Sequence, residues 1–188
     1  VTVSNLQETT DYYFAIYKYN DSEKCYNIVT PATGNAITAG YCQASGGGDE
    51  YINGVSLGDI STSGTGPNGY EDFTYLTTDL EISFTYTLSI TNGHIYDIDD
   101  LGVWIDFNDN DSFDDVGENL ICEIDNWTDD NFDLIIPANA SIGSHRMRIR
   151  TQYFASDCSN TCGTTQHGEV EDYTVNIISS GLPLVETN

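Results

Sequence analysis

Basic residues are nearly absent from this sequence of 188 residues, which has five Lys and Arg against thirty Asp and Glu and a formal charge of −25. No Lys or Arg occurs between Lys24 and Arg146. So few bases cannot neutralise a row of phosphates, which excludes nucleic acid as a partner, and an anionic membrane surface would repel the chain. We expect metal cations to supply the missing counter-charge along the base-free stretch.

Long apolar runs are also missing, since no segment approaches the roughly 18 apolar residues that a membrane-spanning helix requires. Apolar residues still make up 39% of the sequence, which is enough for a folded core. Tyr and Phe, at thirteen and seven, stand beside abundant Thr, Ser, Asn and Gly, whereas periodic runs of helix formers are lacking. This composition predicts an all-β protein without membrane insertion.

Catalytic motifs are lacking as well. The sequence contains no G-x-S-x-G, no H-E-x-x-H and no phosphate-binding loop, and its histidines His94, His145 and His167 are not spaced as a metal motif. Paired carboxylates carry no specific information in a chain with thirty acidic residues. We therefore predict that the chain is not an enzyme.

Five cysteines point to an oxidising compartment, so we expect disulfides and a secreted or cell-surface location. Their pairing is not readable from the sequence, and at least one thiol must stay unpaired within the chain. Zinc is the weaker alternative, because the C-x₃-C pair has no second pair at ligand spacing. The cysteines are Cys25, Cys42, Cys122, Cys158 and Cys162.

The strand pattern divides the chain into three segments. Residues 1–38 hold two β-prone stretches around a polar turn and predict a hairpin, and residues 179–188 are interpreted as a linker. Residues 39–178 have the strand spacing of an antiparallel β-sandwich of jelly-roll type. The clearest strand is 81–91, where apolar and polar residues alternate strictly. The predicted strands of the sandwich are 51–60, 72–77, 81–91, 101–107, 119–125, 132–136, 145–153 and 170–178.

The sandwich segment contains the ordered elements YINGVSLGDIS from Tyr51, GYEDFT from Gly69, VWIDFNDNDSFDDVGE from Val103, HRMRIR from His145 and GEVEDYTVNI from Gly168. Together they resemble the GEVED domain, a module of secreted proteins of Bacteroidetes-type bacteria. The resemblance implies an accessory unit that accompanies secreted peptidases, polysaccharide-degrading enzymes or adhesins. Residues 1–38, with the phrase VTVSNLQETTDYYFAIYKYN, resemble the final two strands of a fibronectin type III domain.

An acidic loop from Asp106 to Glu118 has the ligand spacing of a calcium site. Oxygen-bearing side chains recur at every second residue, and calcium takes six to eight oxygen ligands. Asp111 stands where such loops usually have a turn glycine, although Asp tolerates a left-handed backbone better than most residues. We predict calcium as the cofactor, and the alternative is a solvated acidic turn. The predicted ligands are Asp106, Asn108, Asn110, Ser112, Asp115 and Glu118.

The segment HRMRIR places three of the five basic residues on one face of a strand, with Met147 and Ile149 on the core side. The guanidinium groups suit carboxylate or sulfate groups of a ligand, and the alternative is a cross-strand ladder with Asp172. Aromatic rings would supply the flat surfaces that sugars require, whereas Trp104 is expected to be packed. The predicted ligand-binding residues are Trp127, Arg146, Arg148, Arg150, Tyr153 and Tyr96.

These features predict a non-catalytic carbohydrate-binding module of a secreted polysaccharide-acting enzyme, stabilised by calcium. The expected partners are a polysaccharide, with algal or sulfated glycans among the candidates, and a neighbouring catalytic domain of the same chain. The alternative is a structural or adhesion spacer of a cell-surface protein.

Overall fold

The computed structural model describes residues 11–16, 19–20, 25–26, 32–37, 40–94, 98–124, 127–128, 130–154 and 157–181. The chain forms two compact units, Val1–Tyr41 and Cys42–Asn188. No helix that is long and apolar enough to cross a membrane occurs in these described ranges.

The described residues of the first unit form two antiparallel strand pairs. Strand β1 (Asp11–Ile16) pairs with β4 (Ala32–Ile37), and β2 (Tyr19–Asn20) pairs with β3 (Cys25–Tyr26). An antiparallel hairpin is what the sequence predicts for this segment. The likeness to a fibronectin type III domain stays a prediction.

The second unit is an all-β sandwich. One sheet has the strand order β11-β10-β13-β15-β8 and the other the order β12-β9-β6-β7, while β5 and β14 form a small parallel pair. The strands of this unit are β5 (Ala44–Ser45), β6 (Ile52–Leu57), β7 (Ile60–Ser61), β8 (Tyr70–Glu81), β9 (Thr85–Asn92), β10 (Asp99–Ile105), β11 (Asn119–Glu123), β12 (Asp130–Ile135), β13 (Gly143–Tyr153), β14 (Gly163–Thr164) and β15 (Gly168–Ile178).

The sandwich is confirmed, with one departure from a purely antiparallel arrangement. Strand β8 pairs in parallel with β15 at the edge of the five-stranded sheet, whereas the other pairs within the two large sheets are antiparallel. A parallel pair needs a long connection between its strands, and about half of the chain separates β8 from β15. The edge strand is therefore fixed by the segment GEVEDYTVNI rather than by a local hairpin.

The prediction of one strand over 81–91 is wrong. Strand β8 ends at Glu81, Ser83 adopts a left-handed backbone with φ of 66°, and β9 begins at Thr85. The N–H of Ser83 donates to the carbonyl of Ile136 at 2.9 Å, which ties the turn to the segment after β12. The alternation of apolar and polar residues continues unchanged across the turn, so the pattern alone does not locate it.

A continuous hydrophobic core lies between the two sheets and includes residues of both. Met147 and Ile149 of β13 are fully buried in it, as the strand alternation predicts. Tyr173, Val175 and Ile177 of β15 also belong to it. The opposite side chains of β13 and β15 must therefore lie on the outer face of the five-stranded sheet, where Arg148 and Asp172 meet.

Candidate functional site

The acidic loop that follows β10 is organised by the buried carboxylate of Asp106. Its Oδ1 accepts hydrogen bonds from the backbone N–H of Asn108 at 3.2 Å and of Asn110 at 3.4 Å, and its Oδ2 accepts one from Asp111 at 3.0 Å. Asp111 has a left-handed φ of 64°, as its place in the loop pattern predicts. The alternating sequence thus folds into a tight loop around one carboxylate.

Glu118 closes this loop with a second buried carboxylate. Its Oε1 accepts the N–H of Phe107 at 3.1 Å, while Oε2 is buried and has no hydrogen-bond partner among the described residues. Burial, and next the negative charge of Asp106, raise the pKa of Glu118. A buried carboxylate oxygen without a donor costs free energy, and a cation beside it would remove that cost.

Three further predicted ligands converge on the exposed side of the loop. The side-chain amides of Asn108 and Asn110 donate to Asp115 Oδ2 at 2.9 and 2.6 Å and lower the pKa of Asp115. Ser112 Oγ accepts the N–H of Asp114 at 3.1 Å instead. A cavity of about 300 Å³ beside the loop is lined by Asn108, Asp115 and Glu118, among other residues. All of the predicted ligand side chains carry an oxygen atom, and oxygen is the ligand type that calcium prefers.

The three arginines of β13 do not form an exposed ligand face, so that prediction is wrong for Arg148 and Arg150, which are both buried. Arg148 binds Asp172 in a bidentate manner, with Nε donating to Oδ1 and Nη2 to Oδ2, both at 2.8 Å. Arg146 Nη1 donates to the same Oδ2 at 3.3 Å and is only partly buried. The cross-strand ladder, the alternative reading of this face, is confirmed, although Asp172 is buried rather than solvated.

The loop after β13 covers this face and explains the burial. Arg148 Nη1 donates to the carbonyl of Thr161 at 2.9 Å, and Arg150 Nη1 donates to that of Cys162 at 2.8 Å. Burial, and then the charge of Arg148, lower the pKa of Arg150 to about 10. The guanidinium groups therefore serve as buried donors for loop carbonyls.

Aromatic side chains complete the covered face. The Phe113 ring lies 4.9 Å from the Arg148 guanidinium carbon, and Trp104, which pairs with Arg148 across the strands, is buried as expected. A positive charge over an aromatic ring is favourable, and more so away from water. The outer face of the five-stranded sheet is thus packed as well, by ionic contacts together with aromatic ones.

Two disulfides hold the covering loop. Cys42 is bonded to Cys162 and Cys122 to Cys158, with Cα–Cα distances of 5.6 and 5.7 Å. The expectation of disulfides is confirmed, and zinc bound by Cys158 and Cys162 is excluded because both sulfurs are in these bonds. The side chain of Cys25 lies outside the described residues. The first disulfide joins residues 120 positions apart and links the two ends of the module.

The aromatic residues predicted to bind sugar differ in their exposure to solvent. Trp127 is buried in the hydrophobic core, so its interpretation as a sugar platform is wrong. Although the surrounding sequence is polar, the apolar indole ring packs inside the sandwich. Tyr153 is 44% exposed at the end of β13, with its ring 5.7 Å from that of His167. Tyr96 lies outside the described residues.

A cluster that sequence reasoning missed lies beside Tyr153. His167 Nδ1 is 3.1 Å from Glu50 Oε2, and His94 Nδ1 is 3.3 Å from Asp49 Oδ2. One ligand atom each of Asp49, Glu50 and His167 lie within 4.8 Å of one another. Since 117 positions separate Glu50 from His167, no local spacing could reveal this contact.

The segment GEVEDYTVNI owes its residue types to packing. Glu169 accepts hydrogen bonds from the N–H groups of Ile52 and Asn68, both at 2.9 Å. Glu171 accepts a hydrogen bond from the Tyr173 hydroxyl at 2.7 Å. Burial raises the pKa of Glu169 to about 7 and that of Glu171 to about 8. Gly168, at φ of 114°, leaves no room for a Cβ against the Thr151 carbonyl.

The fold and these contacts define a disulfide-linked, all-β sandwich module with an acidic loop at the end of β10. The family model of the GEVED domain matches residues 100–176, which confirms the resemblance predicted from the sequence. The match spans the acidic loop, the arginines of β13 and most of β15. A search of the curated proteins found no match for the chain.

Proposed function

We propose that this chain is a calcium-binding, non-catalytic module of a secreted or cell-surface protein and that it binds polysaccharide at the end of the sandwich that carries Tyr153. The observation that carries the calcium proposal is the buried Oε2 of Glu118, which lacks a hydrogen-bond donor among the described residues in a loop that also buries Asp106. Two disulfides support the extracellular setting.

Calcium fits the loop for electrostatic reasons. Asp106, Glu118 and Asp115 bring three carboxylates into one loop, and burial disfavours the negative charge of Glu118. A divalent cation would neutralise the two carboxylates that lie away from water and would use the oxygens of Asn108 and Asn110 as further ligands. Calcium in this role stabilises the loop and takes no part in a reaction.

Calcium is expected to raise the melting temperature of EDTA-treated protein by about 5–10 °C when it is present at 100 times its dissociation constant, because binding of the native state alone contributes about 2.7 kcal/mol. Glu118→Gln should abolish this response, since it removes the buried charge and keeps an oxygen for the Phe107 N–H. Differential scanning calorimetry with calcium and with EDTA measures both effects.

The matched control is Asp133→Asn, which removes one carboxylate from an exposed position of β12. This variant should keep the full calcium response. A wild-type melting temperature that does not respond to millimolar calcium would refute the calcium site.

The polysaccharide proposal depends on what stays exposed. Arg148, Arg150 and Trp127 are buried, whereas the ring of Tyr153 is partly exposed and lies beside His167. Sugar recognition combines an aromatic ring for the apolar face with polar side chains for the hydroxyls, and Asp49 and Glu50 lie next to His167. The strong negative charge favours neutral or mixed glycans over polyanionic ones.

Tyr153→Ala should weaken glycan binding by about threefold to tenfold, the effect expected from one lost ring contact. Affinity electrophoresis against neutral and sulfated polysaccharides provides the measurement. Tyr75→Ala is the matched control, because Tyr75 is an exposed tyrosine of β8 outside this cluster. Equal retardation of the Tyr153 variant and the wild type would place the glycan elsewhere.

A spacer role is the second candidate, and the burial of Arg148, Arg150 and Trp127 favours it because these residues support the fold instead of a ligand surface. In that case none of the polysaccharides retards the protein. Release of sugar products from the same panel would contradict the non-catalytic assignment.

A further inference from the structure

We propose that Asp49, Glu50 and His167 form a second metal site, for a transition-metal dication such as Zn²⁺, that is separate from the acidic loop and lies beside Tyr153. The three side chains come from two distant parts of the chain, the loop between β5 and β6 and the segment just before β15. The fold, not the local sequence, brings them together.

The spacing of the ligand atoms suits a small dication. Zinc binds imidazole nitrogen and carboxylate oxygen at about 2.0–2.2 Å, which places the donors of a tetrahedral site about 3.4 Å apart. One ligand atom each of Asp49, Glu50 and His167 already lie within 4.8 Å of one another, and His167 Nδ1 is 3.1 Å from Glu50 Oε2. Small side-chain rotations are enough to close this set around an ion.

The backbone holds the two segments in this arrangement. The N–H of Gly168 donates to the carbonyl of Gly47 at 2.9 Å, next to His167 on one side and to the acidic pair on the other. Gly48 has a left-handed φ of 76°, and a Cβ at this position would lie 2.9 Å from Glu50 Oε2 and against the His167 ring. The loop therefore passes close to both side chains, and its left-handed backbone at this position favours glycine.

Burial and charge distinguish this cluster from ordinary surface ion pairs. The side chain of Glu50 is only 4% exposed, although its nearest cationic partner is a histidine that is charged only when protonated. The two carboxylates face the imidazoles of His167 and His94, which are neutral unless protonated, and a dication would neutralise their negative charge. Asp49 and His167 remain open enough to water for an ion to enter.

The donor types select the metal. A mixed set of imidazole and carboxylate suits zinc and its neighbours in the transition series, whereas calcium prefers oxygen donors alone. His94 Nδ1 lies 3.3 Å from Asp49 Oδ2 and restricts the orientation of that carboxylate. Contacts of this kind orient metal ligands and increase their affinity.

The test is a zinc titration of the full chain by isothermal calorimetry in millimolar calcium, which keeps hard oxygen sites filled. We expect one zinc ion to bind with a dissociation constant below about 10 μM. His167→Gln and Glu50→Gln should each weaken binding by about 100-fold, since even a partner that only orients a ligand is worth about 10–100-fold. A weaker wild-type affinity, or unchanged affinity in both variants, would overturn the site.

A matched control and a second readout guard against variants that fail to fold. Asp109→Asn removes a close histidine–carboxylate contact outside this cluster, in which His145 Nδ1 lies 2.9 Å from Asp109 Oδ1, and should leave zinc affinity within about twofold. In the wild-type protein, zinc should shift the imidazole NMR signals of His167 and leave those of His145 in place. Signals of His167 that do not respond to zinc would refute the proposal, whatever the outcome of the calcium and glycan experiments.

Discussion

Replacing Arg148 by Met should lower the free energy of unfolding by about 3–5 kcal/mol, because removal of one partner of a buried ion pair leaves the other charge unpaired. The carboxylate of Asp172 is fully buried, and Arg148 supplies two of its hydrogen bonds at 2.8 Å. Arg146 at 3.3 Å and the Tyr70 hydroxyl at 3.2 Å cannot replace this bidentate contact. Urea denaturation followed by tryptophan fluorescence measures the loss.

Two further variants separate the ion pair from simple loss of volume. Arg146→Met, in the same strand but with one longer contact and partial exposure, should cost less than about 1 kcal/mol. Adding Asp172→Leu to Arg148→Met should recover much of the loss, since a buried pair replaced by apolar residues is often neutral. Equal costs for the two single variants would show that Arg148 is not the main partner of Asp172.

The strands of the two sheets are predictable from the sequence because the side chains of a strand alternate between its two faces. Each of the eight strands expected between residues 51 and 178 overlaps a strand of the sandwich, although 51–60 and 81–91 each run across a turn into a second strand, and the inward positions of β13 and β15 are correct. The failure at Ser83 has a local cause: a short turn preserves the alternation on both sides, so two strands look like one. The left-handed Asp111 was predictable because the loop pattern fixes its position.

The outer face of the five-stranded sheet was less predictable because its burial depends on contacts distant in sequence. The alternation places Arg148 and Arg150 on this face, but nothing in HRMRIR indicates that a covering loop lies over them. That loop is polar in composition and is held by the bond between Cys42 and Cys162, 120 positions apart. Polar loops usually lie in water, and this one can cover a sheet because two arginines also satisfy its carbonyls.

The same limit applies to the cluster of Asp49, Glu50 and His167. Each residue is unremarkable in its local sequence, and in a chain with thirty acidic residues a pair of neighbouring carboxylates attracts no notice. Only the pairing of Gly47 with Gly168 brings the histidine to the acidic pair. Sequence reasoning can therefore find a candidate site in a continuous segment such as the acidic loop, but not one that is assembled from two segments.

The free energy of unfolding should fall by about 6 kcal/mol as the pH rises from 5 to 9, because one pKa unit corresponds to about 1.4 kcal/mol and two buried carboxyl groups titrate late. Burial raises the pKa of Glu169 to about 7 and of Glu171 to about 8, from an ordinary value of 4.5. Below pH 4.5 both folded and unfolded chains are protonated, and no stability is lost. Between 4.5 and 8 the folded chain holds more protons, so a rising pH favours unfolding, and above 8 the loss is complete. Urea denaturation at intervals of one pH unit records the slope.

Glu171→Gln should flatten this slope by about half, since the amide cannot ionise but its oxygen still accepts the Tyr173 hydroxyl. The free energy of unfolding of this variant should increase relative to that of the wild type as the pH rises from 5 to 9. Removing any acid also relieves the repulsion of a chain with a charge of −25, so Glu123→Gln, at an exposed position of β11, is the matched control. It changes the net charge equally and should leave the slope almost unchanged, because exposed charges are screened. Equal slopes in all three proteins would mean that net charge, rather than the buried glutamates of β15, sets the pH dependence of the fold.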